Sequence, residues 1–213
     1  MDAERLSVYL RSLEPDGSPL LREMEQRAGK EHIPVIRPET AALLRTLFEA
    51  KKPRRVLEVG TAIGYSALVM LSAMPPEGHI ITMELSEERL ADAGEYIRRA
   101  GASDRVTLLQ GGAGEILPGL DPAFDFIFLD GPKGQYPLLL PDLLRLLAPG
   151  GMLVSDNVLQ EGTLLESRYA IPRRDRTIHA RMREFLYEIK HRDELETAIL
   201  PVGDGVAVSV RKS

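Results

Sequence analysis

Five apolar runs of strand length punctuate the chain: VLEVG (56–60), HIITME (79–84), RVTLLQ (105–110), FDFIFLD (124–130) and GMLVSD (151–156). The segments between them have another period. YSALVMLSAM, SEERLADAGEYIRRA and PLLLPDLLRLL carry apolar residues at three- and four-residue spacings, and Ser86 with Arg89 is placed to start a helix. Runs buried on both faces and alternating with helices imply an α/β fold with a doubly wound, mostly parallel sheet. Near the end, ETAILPVGDGVAVSVRK holds two more β-rich runs around Gly203-Asp204-Gly205, which is hairpin turn chemistry. The expected sheet therefore has seven strands and closes with an antiparallel C-terminal hairpin. Ahead of the first strand, residues 4–50 read as two or three amphipathic N-terminal helices interrupted by the extended piece HIPVIRP.

A chain of 213 residues, 44% hydrophobic, can bury one sizeable core, so a single domain over residues 1–213 is expected, with a helical cap at 1–50 and a core at 54–213. No apolar run approaches the roughly 18 residues of a membrane helix, so no membrane partner is expected. With no cysteine, disulfides, thiolate metal ligands and cysteine nucleophiles are excluded, and a cytoplasmic location is the default. The net charge is −5, yet Arg168 to Arg192 holds eight Lys/Arg against three Asp/Glu. Such asymmetry suits either a solvated helix face or a surface that meets an anion such as RNA.

After the first strand the chain reads Glu58-Val-Gly60-Thr-Ala-Ile-Gly64-Tyr65-Ser66. Two glycines four apart make neither the GxGxxG of a dinucleotide site nor a phosphate loop ending in Gly-Lys-Ser/Thr. An acid at Glu58 would repel phosphate but suits an ammonium or sulfonium ligand. The second strand ends in Glu84, 24 residues beyond Gly60, where a carboxylate can accept from both ribose hydroxyls of an adenosine. Together these features favour S-adenosylmethionine over a nicotinamide dinucleotide.

The fourth and fifth strands end in Asp130 and in Asp156-Asn157, at the rim that also carries the glycine turn. Two carboxylates and an amide oxygen form a hard, oxygen-only donor set suited to Mg²⁺. Zinc is disfavoured, because His32, His79, His179 and His191 are scattered. Lys133 follows Asp130 by three residues. A lysine beside a divalent cation and a sulfonium pocket fits a general base, and its plainer role is a cation paired with Asp130 or Asp156. No G-x-S-x-G supports serine-hydrolase chemistry.

With these residues placed, the sequence resembles the Mg²⁺-dependent O-methyltransferase family of catechol and caffeoyl-CoA methyltransferases. VLEVGTAIGYSA, the strand-end Glu84, DGPKGQY and SDNVL stand in family order, and the likeness covers about residues 30 to 212. It implies a Rossmann-like methyltransferase fold, usually homodimeric. It also implies that Glu58, Gly60, Tyr65, Ser66 and Glu84 border S-adenosylmethionine, with Ile36 and the Gly111-Gly112-Ala113 turn close by. By the same likeness Asp130, Asp156 and Asn157 hold the metal, Asp130 serves both ligands, and Lys133 takes the proton. EHIPVIRPE, KGQY, SDNVLQEG, the Arg-rich RRDR and TAILPVGDGVAVS look most like the bacterial methyltransferases of tRNA 5-hydroxyuridine. That subgroup makes 5-methoxyuridine at the wobble position of the anticodon. On this reading Arg173, Arg174 and Arg176, with Arg37, meet phosphates of an anticodon loop.

Two positions depart from the family pattern. Gly112 stands where relatives commonly place an acid near the adenine, and the catalytic loop reads Asp-Gly-Pro-Lys rather than Asp-Ala-Ala-Lys. Rival functions are methylation of a small catechol or acyl-CoA phenol, a nicotinamide-dependent dehydrogenase, and a non-catalytic RNA-binding module on the same fold.

Overall fold

The computed structural model describes residues 3–14, 17–167 and 169–213, so Arg168 of the basic window lies outside the described residues. Three helices lead in: α1 (Ala3–Ser12), α2 (Pro19–Glu31) and α3 (Pro38–Lys51). Then β1 (Arg55–Val59), α4 (Tyr65–Ser72), β2 (His79–Glu84), α5 (Glu87–Arg99), β3 (Val106–Gln110) and the short α6 (Ala113–Ile116) alternate. They are followed by β4 (Phe124–Leu129), α7 (Tyr136–Leu146), β5 (Leu147–Ser155), α8 (Arg176–His191), β6 (Leu195–Leu200) and β7 (Val206–Arg211). Strand order is β3-β2-β1-β4-β5-β7-β6. The first five strands pair in parallel, while β7 lies antiparallel to both β5 and β6.

The period of two along each strand divides the core. Val56, Ile80, Phe126, Phe128 and Val154 face one layer, packed by Met24 and Ala28 of α2, Leu44 and Phe48 of α3, and α4. Leu57, Val59, Met83, Ile127, Leu129 and Leu153 face the other, packed by α7 and by Met182, Phe185 and Ile189 of α8. Helix α4 is buried along Tyr65–Leu71 because the sheet covers one side and the N-terminal helices the other. Its run of apolar residues is the expected mark of a helix hydrophobic all round. Ser86 caps α5 by accepting from the Arg89 amide at 3.3 Å.

Strand β5 starts at Leu147, four residues before the apolar run GMLVSD. The ladder to β4 slips between Phe124 and Phe126, which pair with Leu147 and Met152, so Ala148–Gly151 is accommodated as a bulge. Helix α7 carries Pro141 inside it, preserved by the buried Leu139, Leu140, Leu143 and Leu144 on its inner face. Among the described residues no helix is long and apolar enough to cross a membrane.

Candidate active site

Sheet order reverses between β1 and β4, and the loops at the carboxyl ends of the parallel strands open around a cavity of about 500 Å³. That is where a doubly wound sheet binds ligands. Gly60, Glu84, Gly112, Ala113, Asp130, Lys133, Asp156 and Asn157 line it, and the extended piece Pro34–Arg37 supplies a wall that includes Ile36. The N-terminal helices thus lie over α4 while their connection closes the cavity.

Gly60 is dictated by a close approach. A Cβ there would stand 2.3 Å from the Asp130 carbonyl oxygen, and its φ is +102°. Only glycine lets the first turn and the β4 loop meet so closely. Glu84 is aimed by two backbone donors, the Ala62 amide to Oε2 and the Ser86 amide to Oε1, each at 3.0 Å. A carboxylate oxygen has capacity for a second bond, so both remain able to accept from a vicinal diol.

Glu58, Tyr65 and Ser66 do not line the cavity. Glu58 is fully buried beneath it, where the Ser66 hydroxyl donates to Oε1 at 2.5 Å and the Thr82 hydroxyl to Oε2 at 2.6 Å. Burial pushes its carboxyl up to about 7, against the lowering effect of those two bonds. The Tyr65 hydroxyl donates to Glu25 of α2.

At the other end of the cavity, Lys133 donates to Asp130 Oδ1 at 2.9 Å and to the Tyr136 hydroxyl at 3.2 Å. The Tyr136 hydroxyl lies 3.0 Å from the Leu129 carbonyl and 3.2 Å from that of Asp156, so it ties the ends of β4 and β5 together under the lysine. Asp156 is 1% exposed, and its Oδ1 accepts from the Asn157 amide at 2.8 Å. Burial, then the nearby Asp130 charge, pushes Asp156 up to about 7. Asp130 is raised by burial too, with Lys133 opposing.

The arginines expected at the RNA surface divide. The Arg37 guanidinium is engaged by Asp204, with Nε 2.9 Å from Oδ2 and Nη2 2.5 Å from Oδ1, while its side chain stays 40% exposed. Arg176 turns inward, donating to the Ile171 carbonyl at 3.0 Å and the Tyr169 carbonyl at 3.4 Å. Arg173 and Arg174 are exposed just ahead of α8. Helix α8 is anchored beside the Asp130–Tyr136 loop, since Arg181 donates to the Gly134 carbonyl at 2.8 Å.

A model of the O-methyltransferase family matches residues 11–212. The chain belongs to that family. It is 35% identical over 142 residues to a catechol O-methyltransferase of Niastella koreensis, covering 64% of each protein. It is 28% identical over 218 residues to caffeoyl-CoA O-methyltransferase 1 of Eucalyptus globulus, covering 97% of this chain and 85% of that one. The O-methyltransferase of Bacillus cereus, solved in complex with SAH, superposes with a TM-score of 0.86 at 26% identity, over 98% of this chain and 97% of the other.

In this O-methyltransferase the donor set fits a hard cation. Asp130, Asp156 and Asn157 can offer oxygens only, and two carboxylates each raised by burial, with the Asp130 charge raising Asp156 further, are groups a divalent ion would relieve. Among the described residues no group of three or more His, Cys, Asp or Glu could hold a metal ion by itself, so a cation at Asp130 and Asp156 would need a donor of another type, and the Asn157 amide lines the same cavity. Two members of the site escaped sequence reasoning. Tyr136 was visible only as the end of a motif, and Asp204 only as a turn residue. Its signal was topological: β7 runs antiparallel to β5 with Ala207 opposite Ser155, so the turn before β7 must reach the rim where β5 ends.

Proposed function

We propose that this O-methyltransferase transfers a methyl group from S-adenosylmethionine, with Mg²⁺, to the 5-hydroxyl of 5-hydroxyuridine at the wobble position of a tRNA anticodon. The observation that carries the reading is the convergence of Lys133, Asp130, Asp156 and Asn157 at one mouth of a cavity with Glu84 at its other end. When bound, the donor supplies the methyl and the cation supplies orientation and added acidity for the acceptor hydroxyl. Asp130, Asp156 and Asn157 would hold the cation, Glu84 the adenosine ribose, and Gly112 and Ala113 the adenine through their backbone. The neutral amine of Lys133 would accept the hydroxyl proton at Nζ and so become the ammonium that pairs with Asp130, with Tyr136 fixing its reach. Pro34–Arg37 forms part of the cavity wall and would help to exclude water from it.

RNA as acceptor is supported by what surrounds the mouth. Among the described residues none that lines the cavity is aromatic, so they offer no flat wall to grip a free catechol ring. Arg173 and Arg174 stand exposed on the segment between the metal loop and α8, within the basic window. The second reading, a small catechol or acyl-CoA phenol as acceptor, is favoured by the named activities of the catechol and caffeoyl-CoA relatives. A homodimer belongs to the same proposal, supported by the exposed apolar Val8, Tyr9, Leu10 and Leu13 at the N-terminal helix.

The deciding experiment incubates the protein with labelled S-adenosylmethionine, Mg²⁺ and bulk tRNA carrying 5-hydroxyuridine, beside a dihydroxyphenyl compound without RNA. Label in 5-methoxyuridine supports the proposal, and label only in the phenol moves the acceptor to the second reading. Full transfer in excess chelator removes the metal from either.

A further inference from the structure

We infer that Asp204 is a positioning residue for Asn157: it decides which end of the Asn157 amide faces the Asp130–Asp156 corner, and it ties that amide to the wall of the cavity. The inference rests on the reading of that corner as a divalent-cation site.

A primary amide has two chemically different ends of nearly the same shape. Turned one way, Asn157 offers an oxygen to a cation, and turned the other it offers an NH₂ group that cannot coordinate one. Local backbone geometry does not choose between them. Asn157 is left-handed with φ 55°, and its main-chain amide is already committed to Asp156 Oδ1. The choice is made by Asp204, whose Oδ2 accepts from Asn157 Nδ2 at 3.3 Å. An ionised carboxylate only accepts, so the nitrogen must face Asp204 and the oxygen must face away from it.

Asp204 is itself fixed from two directions. The Arg37 fork holds both of its oxygens, a geometry that specifies orientation as well as charge. The turn that carries Asp204 is also stitched to the residues after Asn157. The Leu159 amide donates to the Asp204 carbonyl at 3.0 Å and the Val158 amide to the Gly205 carbonyl at 2.9 Å. Gly205 has φ +89°, and a Cβ on it would fall 2.3 Å from Leu159 Cγ, so the turn seats flush on that loop. Arg37, Asp204 and Asn157 thus form a relay joining segments 167 and 47 residues apart, from the cavity wall to the cation corner.

The test reads cation binding without catalysis. Mn²⁺ is titrated into the methyl-donor-free protein and followed by electron paramagnetic resonance, for wild type, Asp204→Ala, Asp204→Asn, Asn157→Ala and the double variant Asp204→Ala/Asn157→Ala. Loss of an orienting partner typically costs about tenfold in metal affinity, and that is the drop expected for Asp204→Ala. Asp204→Asn should recover most of it, because its Oδ1 still accepts from Asn157. In the Asn157→Ala background Asp204→Ala should change nothing, since the two act through one group. Asp204→Ser, which suits a turn but is too short to reach Nδ2, gives the same reading if the alanine variant does not fold. Wild-type affinity in both short variants overturns the inference, as does an Asp204→Ala effect that multiplies with Asn157→Ala. An Asp204→Asn loss as deep as that of alanine would assign the carboxylate to the cation directly and also overturn it. A wild-type protein that binds no Mn²⁺ sinks the cation site and this inference together, whereas wild-type binding with indifferent variants sinks the inference alone.

Discussion

Replacing Glu58 with glutamine should make the donor-free protein more stable, and by an amount that depends on pH. Glu58 is fully buried, and burial raises its carboxyl from the usual 4.5 to about 7 in the folded chain. Between those values the folded state keeps a proton that the unfolded state has released. The stability this contributes is complete below about 4.5 and fades as pH rises through about 7. Glutamine does not titrate, and it can keep the local bonds. Its oxygen accepts from Ser66, and its amide donates to Thr82, whose hydroxyl can turn toward Thr61 Oγ1 at 2.7 Å. At about 1.4 kcal/mol per pH unit, the wild type should lose on the order of 3 kcal/mol relative to Glu58→Gln across that interval. Urea unfolding of both proteins from acid to pH 8.5 measures the gap, and other titrating groups cancel in the difference. A gap that stays constant with pH would refute the claim that a proton resides on buried Glu58.

Three other outcomes follow from the site. Lys133→Ala should lower kcat by about 10²- to 10⁴-fold, the range for a lost general base, while leaving donor affinity nearly intact; a normal rate with an unaltered pH profile would exclude Lys133 from proton transfer. Charge reversal at Arg173 and Arg174 should weaken tRNA binding and flatten the dependence of log affinity on log salt by about one unit per lost phosphate contact, and an unchanged slope would take both off the RNA surface. Gly60→Ala should destabilise the fold by about 1–3 kcal/mol, because its methyl meets the Asp130 carbonyl in a backbone region that disfavours side chains; a thermal midpoint equal to wild type would show that the β1 and β4 loops are not in contact.

What the sequence determined by itself was everything local or periodic. Alternation of VLEVG, HIITME and FDFIFLD with helical spacings is a one-dimensional record of burial on both faces of a sheet, and Gly203-Asp204-Gly205 is a turn wherever it falls. Strand-end acids are likewise legible, because a parallel sheet puts every strand's carboxyl end on one rim, which made Glu84, Asp130, Asp156 and Asn157 neighbours before any coordinates. Tertiary structure alone decided which polar groups meet across long separations. It sent Glu58 and Ser66 beneath the cavity and gave the Tyr65 hydroxyl to Glu25. It also paired Arg37 with Asp204, and inserted β7 between β5 and β6 so that a turn acid reaches the loop after β5. A pairing between residues 167 apart leaves no period or spacing in the chain, because it is set by how the sheet closes and how the N-terminal segment lies across it.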